Sequence, residues 1–200
     1  MDPALLPALV SFAFVSSITP GPNNLMLLAS GANFGVRRSV PHMLGISVGH
    51  SFMVAVVGLG LIGVFNAFPV LHTVLTVVSV AYLAWLAWRI ATSVPKDGAS
   101  RARPFTFWQA AAFQWVNPKA WYMAIEAVTL YAGDGLWGVV IVALIFAATN
   151  LPSISVWTVM GQGLRRALAH PARLRAFNWT MAALLLLSLW PVVAQEVARL

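Results

Sequence analysis

Long stretches of this chain contain no charged side chain. No Asp, Glu, Lys or Arg occurs in residues 3–36, and none occurs in residues 39–88. A membrane-spanning helix needs about 20 mainly apolar residues, so the first stretch is long enough for one span and the second for two. The whole chain is 60% hydrophobic and only 8% charged, whereas about 25% of an average soluble domain is charged. The sequence therefore predicts an integral membrane protein.

The chain divides into six predicted membrane helices. Continuous apolar runs fill them, without the alternating pattern of barrel strands, and helices satisfy every backbone hydrogen bond inside lipid. A turn-like segment at 66–69 separates spans 2 and 3. The predicted spans are 5–31, two within 39–88, 104–132, 136–160 and 177–193. This pattern predicts an all-α membrane fold in one domain over residues 1–200, with a linker at about 93–105.

The basic residues indicate how these helices are oriented. Of the twelve Lys and Arg residues, ten lie in alternate loops: Arg37, Arg38, Arg89, Lys96, Arg101, Arg103, Arg165, Arg166, Arg173 and Arg175. Loops rich in Lys and Arg stay in the cytoplasm, so the loops after spans 1, 3 and 5 are predicted to be cytoplasmic and both termini external. The net charge of +7, which would suggest nucleic acid in a soluble chain, is interpreted here as an orientation signal.

Two proline motifs suggest that the halves of the chain form an inverted repeat. Three pairs of residues share an offset of 98 positions: Thr19 with Asn117, Pro20 with Pro118, and Gly35 with Gly133. Each proline follows a residue typical of a helix N-cap, and proline interrupts a helix because it lacks a backbone N–H. We therefore expect spans 1 and 4 to break in mid-membrane, within repeats that cover about 1–92 and 106–200.

Paired helix breaks at matching positions indicate where a transporter binds its substrate. A half-helix that begins inside the membrane presents free N–H groups and the positive end of its dipole, which suit a substrate carboxylate. The predicted substrate-binding residues come from both breaks and from span 5: Thr19, Pro20, Gly21, Pro22, Asn23, Asn24, Asn117, Pro118, Lys119 and Asn150. Prolines that only shape helix packing are the alternative interpretation.

Three of the ionisable side chains within the predicted spans are candidates for a functional role. A charge near mid-membrane costs at least ~2.5–3.5 kcal/mol on insertion scales. Lys119 is therefore expected to face the substrate carboxylate, to stabilise the broken helix, or to snorkel to the cytoplasmic surface. His50 and Glu126 are the candidates for proton coupling, since imidazole titrates near neutral pH and a carboxylate takes up a proton. The alternatives are that a carbonyl satisfies His50 and that Glu126 approaches the outer interface.

A Gly-x-Ser-x-Gly sequence raises a competing, enzymatic interpretation. Gly45, Ser47 and Gly49 match the nucleophile-elbow pattern of hydrolases, and His50 follows them. That pattern requires a strained turn between a strand and a helix, whereas glycines four residues apart in a membrane helix are typical of close helix packing. We therefore expect no enzyme, and keep an intramembrane serine hydrolase using Ser47 and His50, or a non-transporting assembly subunit, as alternatives.

The sequence also bounds the cofactors and partners. It contains no cysteine, which excludes disulfides, thiolate metal sites and iron–sulfur clusters. It contains no phosphate-binding Gly-Lys-Ser/Thr loop, so any pumping must run on an ion gradient or on a partner. We expect no cofactor, no metal and no nucleic acid. The expected partners are a small-molecule substrate and the lipid bilayer, and homo-oligomer formation is left open.

Several segments of the chain resemble the lysine-exporter/homoserine–threonine-exporter superfamily of bacterial amino-acid efflux proteins. They are TPGPN at 19–23, GVRR at 35–38, LGISVGH at 44–50 and NPK at 117–119. Residues 81–93 and the Phe-Trp pair at 107–108 are most similar to the cysteine/O-acetylserine exporter group. The resemblance implies a secondary amino-acid exporter of the bacterial inner membrane, driven by the proton-motive force. We expect it to work by alternating access at a site formed by the two proline breaks.

Overall fold

The structure of this chain, a computed structural model, describes residues 2–61, 63, 67–68, 70–93, 103–133 and 135–197. All regular elements in these residues are helical, as predicted. They are α1 (Leu6–Ile18, after a 3-10 turn at Pro3–Leu5), α2 (Pro22–Phe34), α3 (Val36–Val56), α4 (Val70–Ala91), α5 (Phe107–Phe113), α6 (Pro118–Ala127), α7 (Leu136–Leu164), α8 (Pro171–Leu187) and α9 (Trp190–Val197). Most of the predicted turn at 66–69 and of the predicted linker lies outside the described residues, as do Lys96, Arg101 and Arg199.

Several described helices are suited to crossing a membrane. Three of them are long and apolar enough: Val36–Leu61, Thr73–Ala91 and Leu136–Leu164. A fourth crossing results if Pro3–Ile18 and Pro22–Phe34, which meet at 53°, form one span. The protein is therefore a multi-pass helical membrane protein, and the count of six spans stays a prediction.

Two glycines that share the predicted offset end helical segments in the same way. Gly35 has a φ of 82° between α2 and α3. Gly133 has a φ of 64° after the π-helical turn Val128–Ala132 that continues α6. A positive φ is costly for a residue with a Cβ and free for glycine. These two positions therefore have matching backbone conformations as well as matching places in the sequence.

Helix α7 packs against α1, α2 and α3, and its contact with α2 is the most extensive in the described structure. Two glycines allow these backbones to approach closely. A Cβ on Gly31 would clash with the backbone carbonyl of Thr158, and a Cβ on Gly161 would clash with that of Leu28. The crossing of α2 and α7 thus depends on the absence of side chains at both points.

The glycines of the hydrolase-like pattern serve the same purpose between α3 and α5. A Cβ on Gly45 would clash with the carbonyl of Phe107, and a Cβ on Gly49 would lie 2.6 Å from Ala111 Cα. The packing interpretation of these two glycines is therefore confirmed.

Buried apolar side chains form two large clusters along the bundle. One includes Met26, Ile46 and Phe113, and the other includes Met53 and Phe146. Along α3, His50 lies between Ile46 and Met53. The fold thus places a short polar zone between two apolar clusters.

Candidate functional site

The first proline motif separates α1 from α2 with an extended connection. Thr19 is the C-cap of α1, Gly21 precedes α2, and Pro22 is the first residue of α2. The prediction that Thr19 caps a helix beginning at Pro20 is therefore wrong. A residue before proline avoids the helical conformation, so Thr19 and Gly21 are both extended, and the new helix begins only after the second proline.

The start of α2 has no side-chain cap. Its N-cap residue, Gly21, provides no side-chain hydrogen bond. The first backbone N–H groups of a helix have no acceptor within the helix, and Pro22 has no N–H. The N–H groups of Asn23 and Asn24, together with the positive dipole end, are therefore chemically suited to an anion.

The end of α1 exposes backbone carbonyls that side chains from other segments bind. Asn24 Nδ2 donates to the carbonyls of Ser17 (2.8 Å) and Thr19 (2.7 Å). Trp157 Nε1, from α7, donates to the carbonyl of Ile18 (2.9 Å). The acceptors freed by the first break are thus satisfied by tertiary contacts.

Lys119, from the second proline motif, binds the same end of α1. Its Nζ donates to the carbonyl and the hydroxyl of Thr19, both at 2.8 Å, and to the carbonyl of Pro20 at 3.3 Å. These three acceptors match the three N–H donors of an ammonium group, and a cation at a helix C-terminus is favourable. A Cβ on Gly21 would lie 2.7 Å from Lys119 Cδ. The contacts of Lys119 are those expected for its helix-stabilising role.

The second proline motif satisfies its own backbone groups. Asn117 is the N-cap of α6, its Oδ1 accepts from the Lys119 N–H at 3.2 Å, and Pro118 is the first residue of the helix. The predicted N-cap is confirmed here. A 3-10 turn at Gln114–Val116 joins α5 to this cap. The N-terminus of α6 is therefore closed, in contrast to that of α2.

A reciprocal amide pair joins the two breaks. Asn23 Nδ2 donates to Gln114 Oε1 at 2.8 Å, and Gln114 Nε2 donates to Asn23 Oδ1 at 3.2 Å. Gln114 is fully buried, and the sequence analysis did not select it. The available signal was an amide side chain three residues before Asn117, inside a predicted membrane span.

A small cavity of about 20 Å³ lies where the two breaks meet. This volume is enough for roughly one water molecule. The predicted residues that line it come from both breaks, from α3 and from α7: Gly21, Asn23, Asn24, Asn117, Lys119, His50 and Asn150. Buried Ser17, which the sequence analysis missed, also lines it, and its Oγ accepts from Asn150 Nδ2 at 3.2 Å. Thr19, Pro20, Pro22 and Pro118 shape the breaks without lining the cavity.

Several buried polar atoms of this cavity lack a partner among the described residues. They are Asn24 Oδ1, Asn150 Oδ1 and both ring nitrogens of His50. Leaving a buried polar atom unpaired costs ~1–3 kcal/mol, so a polar ligand or water that binds here recovers free energy. The His50 ring packs edge-on against Phe146, with ring centroids 5.0 Å apart.

The geometry does not assemble the other predicted arrangements. Since neither nitrogen of His50 has a partner in the described part of the chain, Ser47 and His50 do not form the hydrogen-bonded nucleophile–base pair of a hydrolase. Glu126 is half-buried on α6 and does not line the cavity. The described residues hold no group of three or more His, Cys, Asp or Glu side chains suited to a metal ion.

Comparisons with known proteins place this chain in a family. The family model of the LysE type translocators matches residues 14–189. A cysteine/O-acetylserine efflux protein of Klebsiella pneumoniae is 30% identical over 189 residues, covering 92% of this chain and 95% of the relative. The protein of that name from Escherichia coli K12 is 29% identical over 198 residues, with 92% and 95% covered. The one from Salmonella choleraesuis is 31% identical over 186 residues, with 86% and 90% covered.

No solved structure matches the chain. The matched range contains both proline motifs, the cavity between them and the helices that surround it. The chain therefore belongs to the LysE type translocator family.

Proposed function

We propose that the protein is a secondary active exporter of amino acids or small amino-acid derivatives across the bacterial inner membrane. The observation that supports this most directly is the pairing of opposite chemistries around one cavity. The uncapped start of α2 suits a carboxylate, while the unpartnered Oδ1 atoms of Asn24 and Asn150 suit an ammonium group. A zwitterionic amino acid presents both groups. The relatives named for cysteine and O-acetylserine efflux support this substrate class.

Within this proposal the predicted residues divide by role. The N–H groups of Asn23 and Asn24 bind the carboxylate, and Asn24 and Asn150 accept from the ammonium group. Lys119 holds the ends of the broken helices and contributes positive charge near the carboxylate. The remaining predicted residues set the conformation of the two breaks: Thr19, Pro20, Gly21, Pro22, Asn117 and Pro118.

The size of the cavity and the proposed repeat support transport by alternating access. Space for about one water molecule is too small for an amino acid, so the substrate enters only when the surrounding helices separate. We place six spans in a 3+3 inverted repeat, with spans 1 and 4 broken at the proline motifs and both termini outside. The matching conformations of Gly35 and Gly133 support the repeat, and the basic loops support the orientation.

His50 is the residue proposed to couple export to protons. It is buried in the cavity, and its ring nitrogens have no partner among the described residues. Protonation of a group in the cavity changes the charge that a substrate meets there. Glu126 is the second candidate, and its position outside the cavity makes it the weaker one.

The test is counterflow in proteoliposomes that contain the full chain. A panel of labelled amino acids, with O-acetyl-L-serine and L-cysteine included, is measured with and without a pH gradient. We expect Pro22→Ala to abolish counterflow, because alanine allows the connection before α2 to become helical. Pro171→Ala is the matched control, since Pro171 is also the first residue of a helix and lies outside the cavity. It should transport like the wild type.

The coupling residue is tested in the same vesicles. His50→Gln should keep counterflow exchange and lose stimulation by the pH gradient, whereas Glu126→Gln should keep both. The reverse result would move the coupling role to Glu126. If well-folded wild-type protein exchanges no member of the panel, the proposed function is wrong.

A further inference from the structure

A second cavity lies at the end of the bundle that carries the basic loops. Its volume of about 260 Å³ approaches the ~300–1,000 Å³ typical of small-molecule sites. It lies between the C-terminal ends of α2 and α4, the first part of α3, and residues 103–105. The lining residues that matter here are Arg89, Arg103 and His42, with Met26, Leu86 and Phe105 providing apolar surface.

Two exposed guanidinium groups line this cavity, and no carboxylate among the described residues pairs with them. The side chains of Arg89 and Arg103 make no hydrogen bond or ion pair with the described residues. Arg89 is positioned over the ring of Trp85, with 5.1 Å from Cζ to the ring centroid. A guanidinium presents a planar fork of donors that binds a carboxylate in bidentate fashion. The cavity therefore offers cationic groups to an anion that the described chain does not supply.

His42 adds a buried polar group to the same cavity. Its side chain is 2% exposed, and neither ring nitrogen has a partner in the described part of the chain. The ring packs against Phe105, with centroids 5.2 Å apart. A buried imidazole without a partner is costly, so a ligand that hydrogen-bonds to it is favoured. His42 and the two arginines thus form a built polar site with one apolar wall.

The second cavity lies beside the central one along α2. On α2, Asn23 of the central cavity and Met26 of the second are ~4.5 Å of helix rise apart, and on α3 His50 and His42 are ~12 Å apart. We propose that the second cavity is a cytoplasmic loading site for a small amino acid. Arg89 and Arg103 bind its carboxylate and His42 hydrogen-bonds to it before it moves to the central cavity. This inference rests on the proposed export function.

The test compares transport from the two faces of the membrane. Uptake of labelled O-acetyl-L-serine is measured in inside-out vesicles, which present the cytoplasmic face, and in right-side-out vesicles. The double variant Arg89→Gln/Arg103→Gln should raise KM about tenfold in inside-out vesicles, as expected when charge-assisted hydrogen bonds are lost. The maximal rate in inside-out vesicles should stay unchanged, and so should the KM in right-side-out vesicles.

Matched variants separate this role from a general loss of charge or of folding. Arg166→Gln/Arg175→Gln removes the same charge from exposed basic positions that do not line the cavity, and it should leave both KM values unchanged. Arg89→Lys/Arg103→Lys keeps the charge without the fork, and its KM in inside-out vesicles should lie between those of the wild type and the glutamine variant. His42→Leu should raise KM on the cytoplasmic face only.

Three outcomes would overturn the inference. One is an unchanged KM in inside-out vesicles, and another is an equal change on both faces. A lipid phosphate presents the same anionic chemistry as a carboxylate. The third outcome is therefore that phosphatidylglycerol, added to phosphatidylcholine proteoliposomes, raises the wild-type KM to that of the double variant. The cavity would then bind lipid and not the amino acid. If the wild type transports nothing, the proposed function itself fails, and this inference fails with it.

Discussion

The two proline breaks share a sequence pattern but satisfy their backbone groups in opposite ways. The second break is closed locally, because Asn117 caps α6 with its own side chain. The first break leaves the start of α2 without a side-chain cap, and distant donors such as Lys119 and Trp157 bind the end of α1. Similar motifs therefore need not form equivalent helix ends. Under the proposed function the second break is structural, and the first provides the donors for the substrate.

The two halves also differ in how their long helices pack. Helix α2, after the first break, contacts α7 far more extensively than α6, after the second break, contacts α3. If the halves are repeats, these two pairs correspond. The pair of α2 and α7 contains glycines at its crossing. A substitution at that crossing should therefore lower the free energy of unfolding more than a substitution at either break.

The largest effect is expected at the crossing of α2 and α7. Gly161→Val places side-chain atoms against the carbonyl of Leu28. Overpacking typically costs ~1–3 kcal/mol, and a clash with backbone should lie at the upper end of that range. Gly163→Val is the control, since nothing lies within 4 Å of a Cβ at that position. Denaturant unfolding of the purified protein in detergent measures both variants. Equal stabilities would show that the crossing is not close.

An intermediate effect is expected for the link between the breaks. Asn23→Leu leaves Gln114 Oε1 without its partner, although Gln114 Nε2 keeps the Ala110 carbonyl. Gln114→Leu removes both partners of the Asn23 amide, so the two costs should not add. A double-mutant cycle on unfolding should give a coupling of ~0.5–2 kcal/mol. Asn23→Leu combined with Thr180→Val is the control pair, because Thr180 bonds only within its own helix, and this pair should be additive. Additivity in both pairs would mean that the breaks are independent.

The smallest effect is expected at Asn117 and Thr19, the residues that precede Pro118 and Pro20. Asn117→Ala removes a true N-cap and should lower the unfolding free energy by ~1 kcal/mol. Thr19→Val should cost less, because Thr19 caps no helix start and Lys119 keeps the carbonyls of Thr19 and Pro20. The same unfolding measurement ranks the two variants. If Thr19→Val lowers the unfolding free energy more than Asn117→Ala does, the two motifs do not differ in the way described.

Sequence reasoning identified the helical class and most side chains that line the central cavity, because both have local causes. Uncharged apolar runs demand helices in lipid, and a polar residue inside such a run needs a reason to be there. His50, Asn150 and Lys119 were found in this way. The close packing at Gly45 and Gly49 likewise followed from their spacing.

The parts that sequence reasoning missed depend on contacts between distant segments or on competing local signals. Either Pro20 or Pro22 could be the first residue of α2 by sequence. The structure shows that Gly21 is extended and that α2 begins at Pro22. The pair between Asn23 and Gln114 joins positions 91 residues apart, which no periodicity reveals. The second cavity likewise forms only when α2, α3 and α4 come together.

The contacts of Lys119 have a consequence for the acceptors that remain in the central cavity. Its ammonium group already occupies the oxygens at the end of α1. Under the proposed function, a primary ammonium that enters the cavity is therefore left with the unpartnered Oδ1 atoms of Asn24 and Asn150. Lys119 is in effect a tethered cation that reserves one set of acceptors and so determines in which direction a second cation can bind.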